Sequence, residues 1–582
     1  MQRGSAAFTA VLFVSFVAVF GAIAAYVLFG VGYLSPEAAV RAGIAGDLVE
    51  GTSRGREAAI CSVWWTPVPT IAQLVFAGIP GAVESGLAAC LLSALGGAVL
   101  CVFIARVFLD SGFPRGGAAV AAAVCGANPW VLVGSAGGGS RIWVFALVTA
   151  ALFYFRRWTR TRSLGPLVSA SVCLGLLPVI EHQAAVYVVL MFLAALLYMV
   201  FTRGFGLSKI EGTVLMGASP AVYLAGLWFL FNWLIMGNGL HFLGGVYIEP
   251  VEAAGAAPAI AELPGWLGGW FGAGPVRTSL GEMLLIAPLL AVGVVLGVAA
   301  LVVRRKLLPL VVFALAAAMP LFHAAMADRG QSFARHEDLV IAVPLSLFLV
   351  AHGAGALFGL ARDRLRRWPV GRARWVTAPA TGVMAAALLG SYATVSEQGA
   401  SMPVAVSGSG PFLAVKGEEA REIEAIKESV EAKRQDIRVA VIGFEGYRFM
   451  RAVSGDERFL HYVNWDFGLI NHNTRGKRLY LLVPKPEGAA RFDDVNVRFP
   501  ALYEEADVRL DLDEVRALLQ AVDRPFDNWR LIYATRYYPP TARAEAPTGQ
   551  RASPARTATA AGESARERPA LDADADEVRS SP

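Results

Sequence analysis

Residues 33–51 read Tyr-Leu-Ser-Pro-Glu-Ala-Ala-Val-Arg-Ala-Gly-Ile-Ala-Gly-Asp-Leu-Val-Glu-Gly, and they follow a long apolar run that covers residues 6–30. Ser35 in the N-cap position, a proline at the first helical position and Glu37 in the first turn predict that a helix begins here. The apolar run is long enough to cross a bilayer and longer than the core of a signal peptide. The stretch therefore predicts a retained membrane anchor followed by a short charged helix at the membrane surface.

This charged helix carries the first candidates for acid–base chemistry. A helix over residues 37–49 places Arg41 on the same side as Glu37, one turn further on. Asp47 lies about 80° around the helix axis from Glu37, so the two carboxylates do not point in the same direction. Either can act as a general base with the other structural, and a plain helix start is the alternative interpretation of Glu37.

The composition of the chain indicates its class. Of the 582 residues, 55% are hydrophobic and 17% are charged, which is less charge than a soluble protein of this size carries. Repeated apolar runs of membrane-spanning length predict a polytopic α-helical membrane protein. The net charge of +5 is small and the arginines stand in short loops, so they indicate membrane topology and no nucleic-acid partner. The five cysteines show no CxxC spacing, which favours packing roles.

The apolar runs predict about eleven membrane spans of roughly 15–25 residues each. They fall near residues 7–30, 87–109, 117–135, 142–156, 164–181, 183–202, 213–235, 281–303, 307–326, 339–361 and 374–396.

Basic residues concentrate in every second loop between these spans. The loop after the fourth span, for example, carries Arg156, Arg157, Arg160 and Arg162, whereas the loop before that span carries only Arg141. The asymmetry keeps its sign along the chain and predicts a cytoplasmic N-terminus in a multi-pass protein of the inner or plasma membrane. The chain after Ser396 is then extracytoplasmic.

The domain organisation follows from these runs. The sequence predicts a transmembrane domain over 1–396 with outer loops 31–86 and 236–280, a linker over 397–414, an extracytoplasmic α/β domain over 415–540 and a disordered tail over 541–582. Inside the α/β domain the pattern predicts helices near 416–435, 447–453 and 512–521 and strands near 437–443, 478–484 and 529–534.

Several other polar or aromatic residues stand at the predicted outer membrane surface. Trp64 and Trp65 are interfacial anchors or, alternatively, a stacking wall for a sugar. Arg335 and His336 precede the tenth span and Arg141 follows a glycine turn, and a guanidinium in such a place suits a lipid phosphate, with solvated span ends as the alternative.

Polar and ionisable residues also stand in one tight turn and beside the second long loop. Glu181 and His182 form an outer turn, and Asn232 and His241 flank the second long loop. Ionisable groups at such depth are functional candidates, although a turn solvated by water explains them as well.

Taken in order, four segments resemble the integral-membrane glycosyltransferases of the GT-C fold that use polyprenyl-phosphate sugars, such as dolichyl-phosphate-mannose mannosyltransferases. The acidic helix at 36–51 is similar to the family's acidic-pair segment, and Trp65-Thr-Pro-Val-Pro is similar to its aromatic-Pro-Pro segment. Residues 231–243 are similar to a segment before a later outer loop. Arg335-His-Glu-Asp-Leu-Val-Ile-Ala-Val-Pro is similar to the span that the family begins with Arg-Tyr. Where the family has an acidic pair this chain has Pro36-Glu37, and His336 replaces the usual aromatic residue.

The resemblance implies a transferase that moves a sugar from a lipid-linked donor to a glycan, lipid or protein acceptor within membrane lipids. It implies Glu37 or Asp47 as the base, Arg335, Arg141 and His336 around the donor phosphate, and Arg41, Trp64, Trp65 and His241 lining the cleft. It requires no cofactor; a divalent metal stays open, although no cluster of ligands marks a site for one. Two other functions also stay open: a lipid or glycan transporter, and a non-catalytic envelope assembly or sensor protein that acts through its C-terminal domain.

Overall fold

The computed structural model shows a helical membrane protein with a small sheet. It describes residues 2–31, 33–51, 66–201, 206–236, 275–304, 307–327, 336–364, 418–432, 437–441, 458–461, 478–486, 507–511, 516–521 and 526–536, with single residues or pairs between them. Among the described residues, four helices are long and apolar enough to cross a membrane: Ala6–Gly30, Leu87–Asp110, His182–Phe201 and Leu207–Leu234. The fold class predicted from composition, a polytopic α-helical membrane protein, is confirmed.

Helices make up the described part of the chain up to residue 364. They are α1 (Gln2–Ala25, continued by a π-helical turn Tyr26–Val31), α2 (Pro36–Val49), α3 (Pro67–Ala72, continued by a 3-10 turn Gln73–Phe76), α4 (Leu87–Asp110), α5 (Arg115–Ala127), α6 (Pro129–Ala136), α7 (Arg141–Thr161), α8 (Leu164–Ile180, followed by a 3-10 turn His182–Ala184), α9 (Ala185–Phe201), α10 (Leu207–Met236), α11 (Pro275–Ile286), α12 (Leu289–Arg304), α13 (Leu308–Ala327), α14 (His336–Leu339) and α15 (Ala342–Arg364).

Helix α4 is the centre of the bundle. It packs against α1, α5, α6 and α7, and 67% of its most apolar eighteen residues are buried, against 17%, 22% and 11% in the other three long apolar helices. Small residues permit this packing, since a Cβ on Gly97 would collide with the side chain of Ser135. The other long helices expose valine, leucine and phenylalanine, as expected of surfaces that face lipid.

The third predicted span, 117–135, is not one straight helix. It consists of α5 and α6, which meet at Asn128 and Pro129 with a bend of 70°. Proline cannot donate to the preceding turn, and Asn128 instead caps α6 by accepting from the backbone N–H of Trp130 at 3.1 Å. Its side-chain amide also donates to the Ile286 carbonyl at 2.9 Å, where the predicted span 281–303 is itself interrupted between α11 and α12.

Substituting Asn128 tests how much this joint contributes to stability. We expect Asn128→Leu to lower the free energy of unfolding by about 2–4 kcal/mol, because it removes the helix cap and leaves the Ile286 carbonyl without its donor. Asn128→Ser retains a cap but is too short to reach Ile286, and it should cost about half as much. The measurement is denaturant unfolding in detergent micelles; equal stability of all three proteins would contradict the prediction.

Residues 418–536 contain a helix and a mixed sheet. The helix α16 (Glu418–Ala432) precedes β1 (Ile437–Val441), β2 (Phe459–His461), β3 (Arg478–Pro484), β4 (Asp507–Asp511), β5 (Arg516–Ala521) and β6 (Trp529–Arg536). The strand order is β2-β1-β3-β6-β5-β4, with β2, β1 and β3 parallel and the remaining pairs antiparallel. An apolar stripe on α16 packs into a common core with β1, β3 and β6, formed by Ile423, Ile426, Val430, Val439, Leu482 and Leu531.

The helix predicted near 512–521 is wrong. Residues 516–521 form β5, which pairs with both β4 and β6. The two neighbouring strands satisfy the backbone of this segment on both sides, and that outweighs its helical side-chain pattern. The second long loop, the span near 374–396, the linker and the tail lie outside the described residues, as does the helix near 447–453 apart from two residues.

Candidate functional site: a buried cluster of carboxylates and arginines

Glu37 lies at the start of α2, as the local sequence predicts. The Ser35 hydroxyl accepts from the Ala38 backbone N–H at 3.2 Å and caps the helix. One Glu37 carboxylate oxygen accepts from Arg41 Nε at 2.7 Å, and the other accepts from the Ser140 backbone N–H at 3.3 Å. Both oxygens of this carboxylate therefore already hold a donor.

Arg41 ties three segments together. Its side chain is 2% exposed, and its Nη1 donates to the Thr66 carbonyl at 2.5 Å and to the Thr70 hydroxyl at 3.0 Å. Thr66 in turn donates its hydroxyl to the Ile180 carbonyl at 2.6 Å, at the end of α8. Arg41, predicted to line a cleft, thus connects α2 to α3 and, through Thr66, to α8.

The glycine turn before α7 closes against α2. Gly138 has a φ of +83°, and a Cβ there would lie 2.7 Å from the Cβ of Ala38, so only glycine fits. The backbone N–H of Gly138 donates to the Ser93 hydroxyl at 3.2 Å, and the Gly137 carbonyl accepts from the Ser35 backbone N–H at 2.9 Å. These contacts bring the Ser140 backbone N–H to Glu37. Arg141 is the next residue in the chain after Ser140.

Arg141 is the first residue of α7 and is paired with an acid from far along the chain. Its Nε lies 2.9 Å from a carboxylate oxygen of Asp338, and both side chains are largely buried. A positive charge is unfavourable at a helix N-terminus, so the Asp338 carboxylate stabilises it there. Asp338 belongs to α14, which begins at His336, so the ion pair brings this short helix to the start of α7.

A second carboxylate, Glu181, completes the cluster. It follows the last residue of α8, and the Ser140 hydroxyl donates to one of its oxygens at 3.5 Å. Ser140 therefore bridges the two glutamates, with its backbone N–H on Glu37 and its hydroxyl on Glu181. The sequence marks Glu181 only as an ionisable residue at a tight turn. Its meeting with Glu37 depends on the packing of α8 against α7 and on the contact between α2 and Ser140, which precedes α7.

The surroundings shift the pKa values of the two glutamates in opposite directions. Burial alone would raise the pKa of Glu37, but the charges of Arg41 and Arg141 and the hydrogen bond from Ser140 together lower it below its usual range. Burial also raises the pKa of Glu181, and the nearby charges of Glu37 and Asp338 raise it further against the effect of Arg141. One carboxylate is held ionised while its neighbour more readily takes up a proton.

Asp47, the alternative base, lies near the other end of α2. Ten residues separate it from Glu37, which corresponds to roughly 15 Å along the helix axis. The Asp47 side chain is 7% exposed and lies in a region where Gly55 approaches closely. Of the two carboxylates on α2, the described contacts bring Glu37 to the cluster.

The remaining predicted site residues are not in the described part of the structure. Arg335, Trp64, Trp65 and His241 lie outside it, and of His336 only the backbone is described. His182 stacks on Trp228 with 5.1 Å between ring centroids, and Asn232 donates to the Trp228 carbonyl at 3.0 Å within its own helix. These contacts give His182 a packing partner on α10 and tie the Asn232 side chain to its own helix.

Comparison with known proteins gives similarities in structure. The chain is similar to the crystal structure of ArnT from Cupriavidus metallidurans in the apo state, with 14% identity, a TM-score of 0.46 and coverage of 90% of this chain and 98% of that one. For the same protein bound to undecaprenyl phosphate the values are 14%, 0.47, 89% and 98%. For an oligosaccharyltransferase of Archaeoglobus fulgidus they are 12%, 0.42, 86% and 72%. No protein-family model and no curated protein matches the sequence.

ArnT and the oligosaccharyltransferase both have the GT-C fold, the class that the sequence motifs resemble. At identities this low, the function of this chain has to be inferred from its own side chains.

Proposed function

We propose that this protein is a membrane glycosyltransferase that moves a sugar from a polyprenyl-phosphate donor to an acceptor at the extracytoplasmic membrane surface. The observation that carries the proposal is the buried cluster in which Glu37, Glu181 and Arg141 meet. A lipid-linked sugar brings its own leaving group, the lipid phosphate. The protein then has to take a proton from the acceptor hydroxyl and offset the charge that develops on the phosphate. Carboxylates and a guanidinium side by side supply both groups.

The position of the cluster along α7 supports an extracytoplasmic reaction. Arg141 begins this helix, and the basic run from Arg156 to Arg162 ends it. A helix of this length spans roughly 30 Å, which matches the hydrocarbon core of a bilayer. Because basic loops favour the cytoplasm, the end that carries Arg141 faces the opposite side.

Apart from Asp47, each predicted site residue has a role in this scheme. A carboxylate of the cluster, for which Glu37 is the residue predicted on α2, receives the acceptor's proton. Arg141, which is paired with Asp338, holds the donor phosphate. Arg335 and His336 are the further phosphate-binding residues that the sequence predicts. Trp64, Trp65 and His241 line the path of the sugar, and Arg41 fixes the helix that carries Glu37. The reaction is proposed to need no obligatory cofactor, with a divalent metal left open, and the acceptor is a glycan, a lipid or a protein.

Sugar transfer by the purified protein tests the proposal. Undecaprenyl phosphate is the lipid bound to ArnT in one of the similar structures, so its radiolabelled glucose, mannose, N-acetylglucosamine and pentose derivatives are the donors to try. We expect the protein in lipid nanodiscs, mixed with cell-envelope extract, to release undecaprenyl phosphate from one of them and to label an acceptor. Replacing Glu37 and Glu181 together by glutamine should slow this by about 10²–10⁴-fold. The control is Glu50→Gln, an exposed glutamate just after α2.

Other outcomes would favour the other functions. Movement of an intact lipid-linked sugar across a vesicle membrane without release of the phosphate would indicate a transporter. If no donor is consumed, and deleting residues 418–536 alters the cell envelope as much as deleting the whole protein, an assembly or sensor protein is indicated.

A further inference from the structure

The two glutamates of the cluster differ in how their oxygens are used. Both Glu37 oxygens accept from donors, at 2.7 Å from Arg41 and at 3.3 Å from Ser140. Glu181 accepts one bond, from the Ser140 hydroxyl at 3.5 Å, and among the described residues no donor lies within hydrogen-bonding distance of its other oxygen. A general base needs a lone pair that can reach the acceptor hydroxyl. Glu181 has one, whereas Glu37 uses its oxygens to hold Arg41 and the turn at Ser140.

A hydroxyl near the same cluster also has no partner. The Tyr187 side chain on α9 is 1% exposed, and its hydroxyl makes no hydrogen bond with any residue in the described part of the chain. It lies close enough to Asp338, the partner of Arg141, for that charge to act on it. A buried donor without a partner is costly, and a bound ligand with an oxygen acceptor would satisfy it. Tyr187 therefore indicates a ligand group beside the Arg141–Asp338 pair.

The charges of the cluster combine in a way that favours uptake of a proton. The described side chains that interact here are three carboxylates, Glu37, Glu181 and Asp338, and two guanidinium groups, Arg41 and Arg141. With every group ionised, three negative and two positive charges leave one negative charge in excess, so the set becomes neutral when one carboxylate gains a proton. Since Glu37 and Asp338 each hold an arginine at 2.7 and 2.9 Å, Glu181 is the carboxylate left to gain it.

We infer that Glu181 is the proton acceptor of the transferase, that Glu37 is a positioning residue, and that the Tyr187 hydroxyl donates to an oxygen of the bound lipid-linked sugar. The inference rests on the proposed function. The acceptor hydroxyl attacks the anomeric carbon of the donor and its proton passes to Glu181. The new bond joins the acceptor oxygen to the anomeric carbon, and the bond from that carbon to the phosphate oxygen breaks. The electron pair leaves with the lipid phosphate, beside Arg141.

Single substitutions separate the two glutamates. In the donor-release assay, Glu181→Gln should lower kcat about 10²–10⁴-fold, whereas Glu181→Asp, which keeps a carboxylate, should retain a larger share of the activity. The wild-type rate should fall as the pH falls through the raised pKa of Glu181, because only the ionised carboxylate accepts a proton. That acid limb should be absent from the residual activity of Glu181→Gln and present in that of Glu37→Gln. Glu50→Gln serves as the control for loss of a glutamate charge.

The tyrosine gives a second, independent measurement. Tyr187→Phe removes only the hydroxyl, so we expect the KM for the donor to rise about 2- to 10-fold, with the unfolding midpoint unchanged or higher. A loss of stability without a change in KM would show that the hydroxyl is structural.

The possible failures can be told apart. If the wild-type protein releases phosphate from no donor, the proposed function fails. If the wild type is active and Glu181→Gln retains both its rate and its acid limb, the function stands and the role of Glu181 is wrong. Binding of undecaprenyl phosphate by Glu181→Gln, measured by native mass spectrometry, establishes that this variant is folded.

Discussion

Arg41→Met lowers the free energy of unfolding by about 3–5 kcal/mol, the largest stability change expected from one substitution in α2. Arg41 is almost completely buried, and its guanidinium bonds Glu37, Thr66 and Thr70. Methionine fills a similar volume but leaves the Glu37 carboxylate buried without its cation and the Thr66 carbonyl without a donor. Unfolding of the purified protein by denaturant in detergent micelles measures the change.

A matched control and a double variant make this prediction sharper. Arg157 is an exposed arginine on α7, and Arg157→Met should change stability by less than about 0.5 kcal/mol. Replacing Arg41 and Glu37 together by apolar residues should recover part of the loss, because no buried charge is then left alone. If Arg41→Met and Arg157→Met are equally stable, Arg41 does not tie α2 to its neighbours.

Arg141→Ala should reduce sugar transfer by about 10²–10³-fold, the usual effect of removing one group that stabilises developing charge on a leaving oxygen. Arg141 is paired with Asp338 and lies close enough to Glu37 and Glu181 for its charge to act on both, and the proposed donor phosphate would lie beside it. Arg141→Lys keeps the charge but not the planar fork of donors, so it should recover only part of the rate. The measurement is release of undecaprenyl phosphate from its sugar derivative under saturating acceptor.

Arg115 provides the comparison for this substitution. Like Arg141 it is the first residue of a helix, but it is exposed. Arg115→Ala should leave transfer unchanged. Equal rates for the wild type and Arg141→Ala, with donor binding intact, would show that Arg141 takes no part in the reaction.

The parts of the site that local sequence determines were predictable. Ser35, Pro36 and Glu37 form a helix start whose signals lie within three residues, and the pairing of Glu37 with Arg41 follows from helical spacing. The strands at 437–441, 478–484 and 529–536 have short apolar patterns that turns delimit, and the predictions for them are confirmed apart from a residue or two at their ends. The membrane class follows from composition alone.

Contacts between distant segments were not predictable in the same way. Glu37 meets Ser140 across 103 positions, and Thr66 meets Ile180 across 114. No local pattern records which helices pack together, so the sequence shows Glu181 as an isolated ionisable residue and gives no sign of the Arg141–Asp338 pair. The helix predicted at 512–521 was wrong for a related reason, since its strand partners lie elsewhere in the chain.

Gly138 has an effect that reaches beyond its own turn. Its lack of a side chain lets the backbone before α7 come against α2, at a point where even a methyl group would collide with Ala38. Glu37 and Glu181, which belong to separate segments, both reach Ser140 because Gly138 has no side chain. The position of the proposed proton acceptor, Glu181, relative to Glu37 is thus governed by the single hydrogen atom that Gly138 carries in place of a side chain.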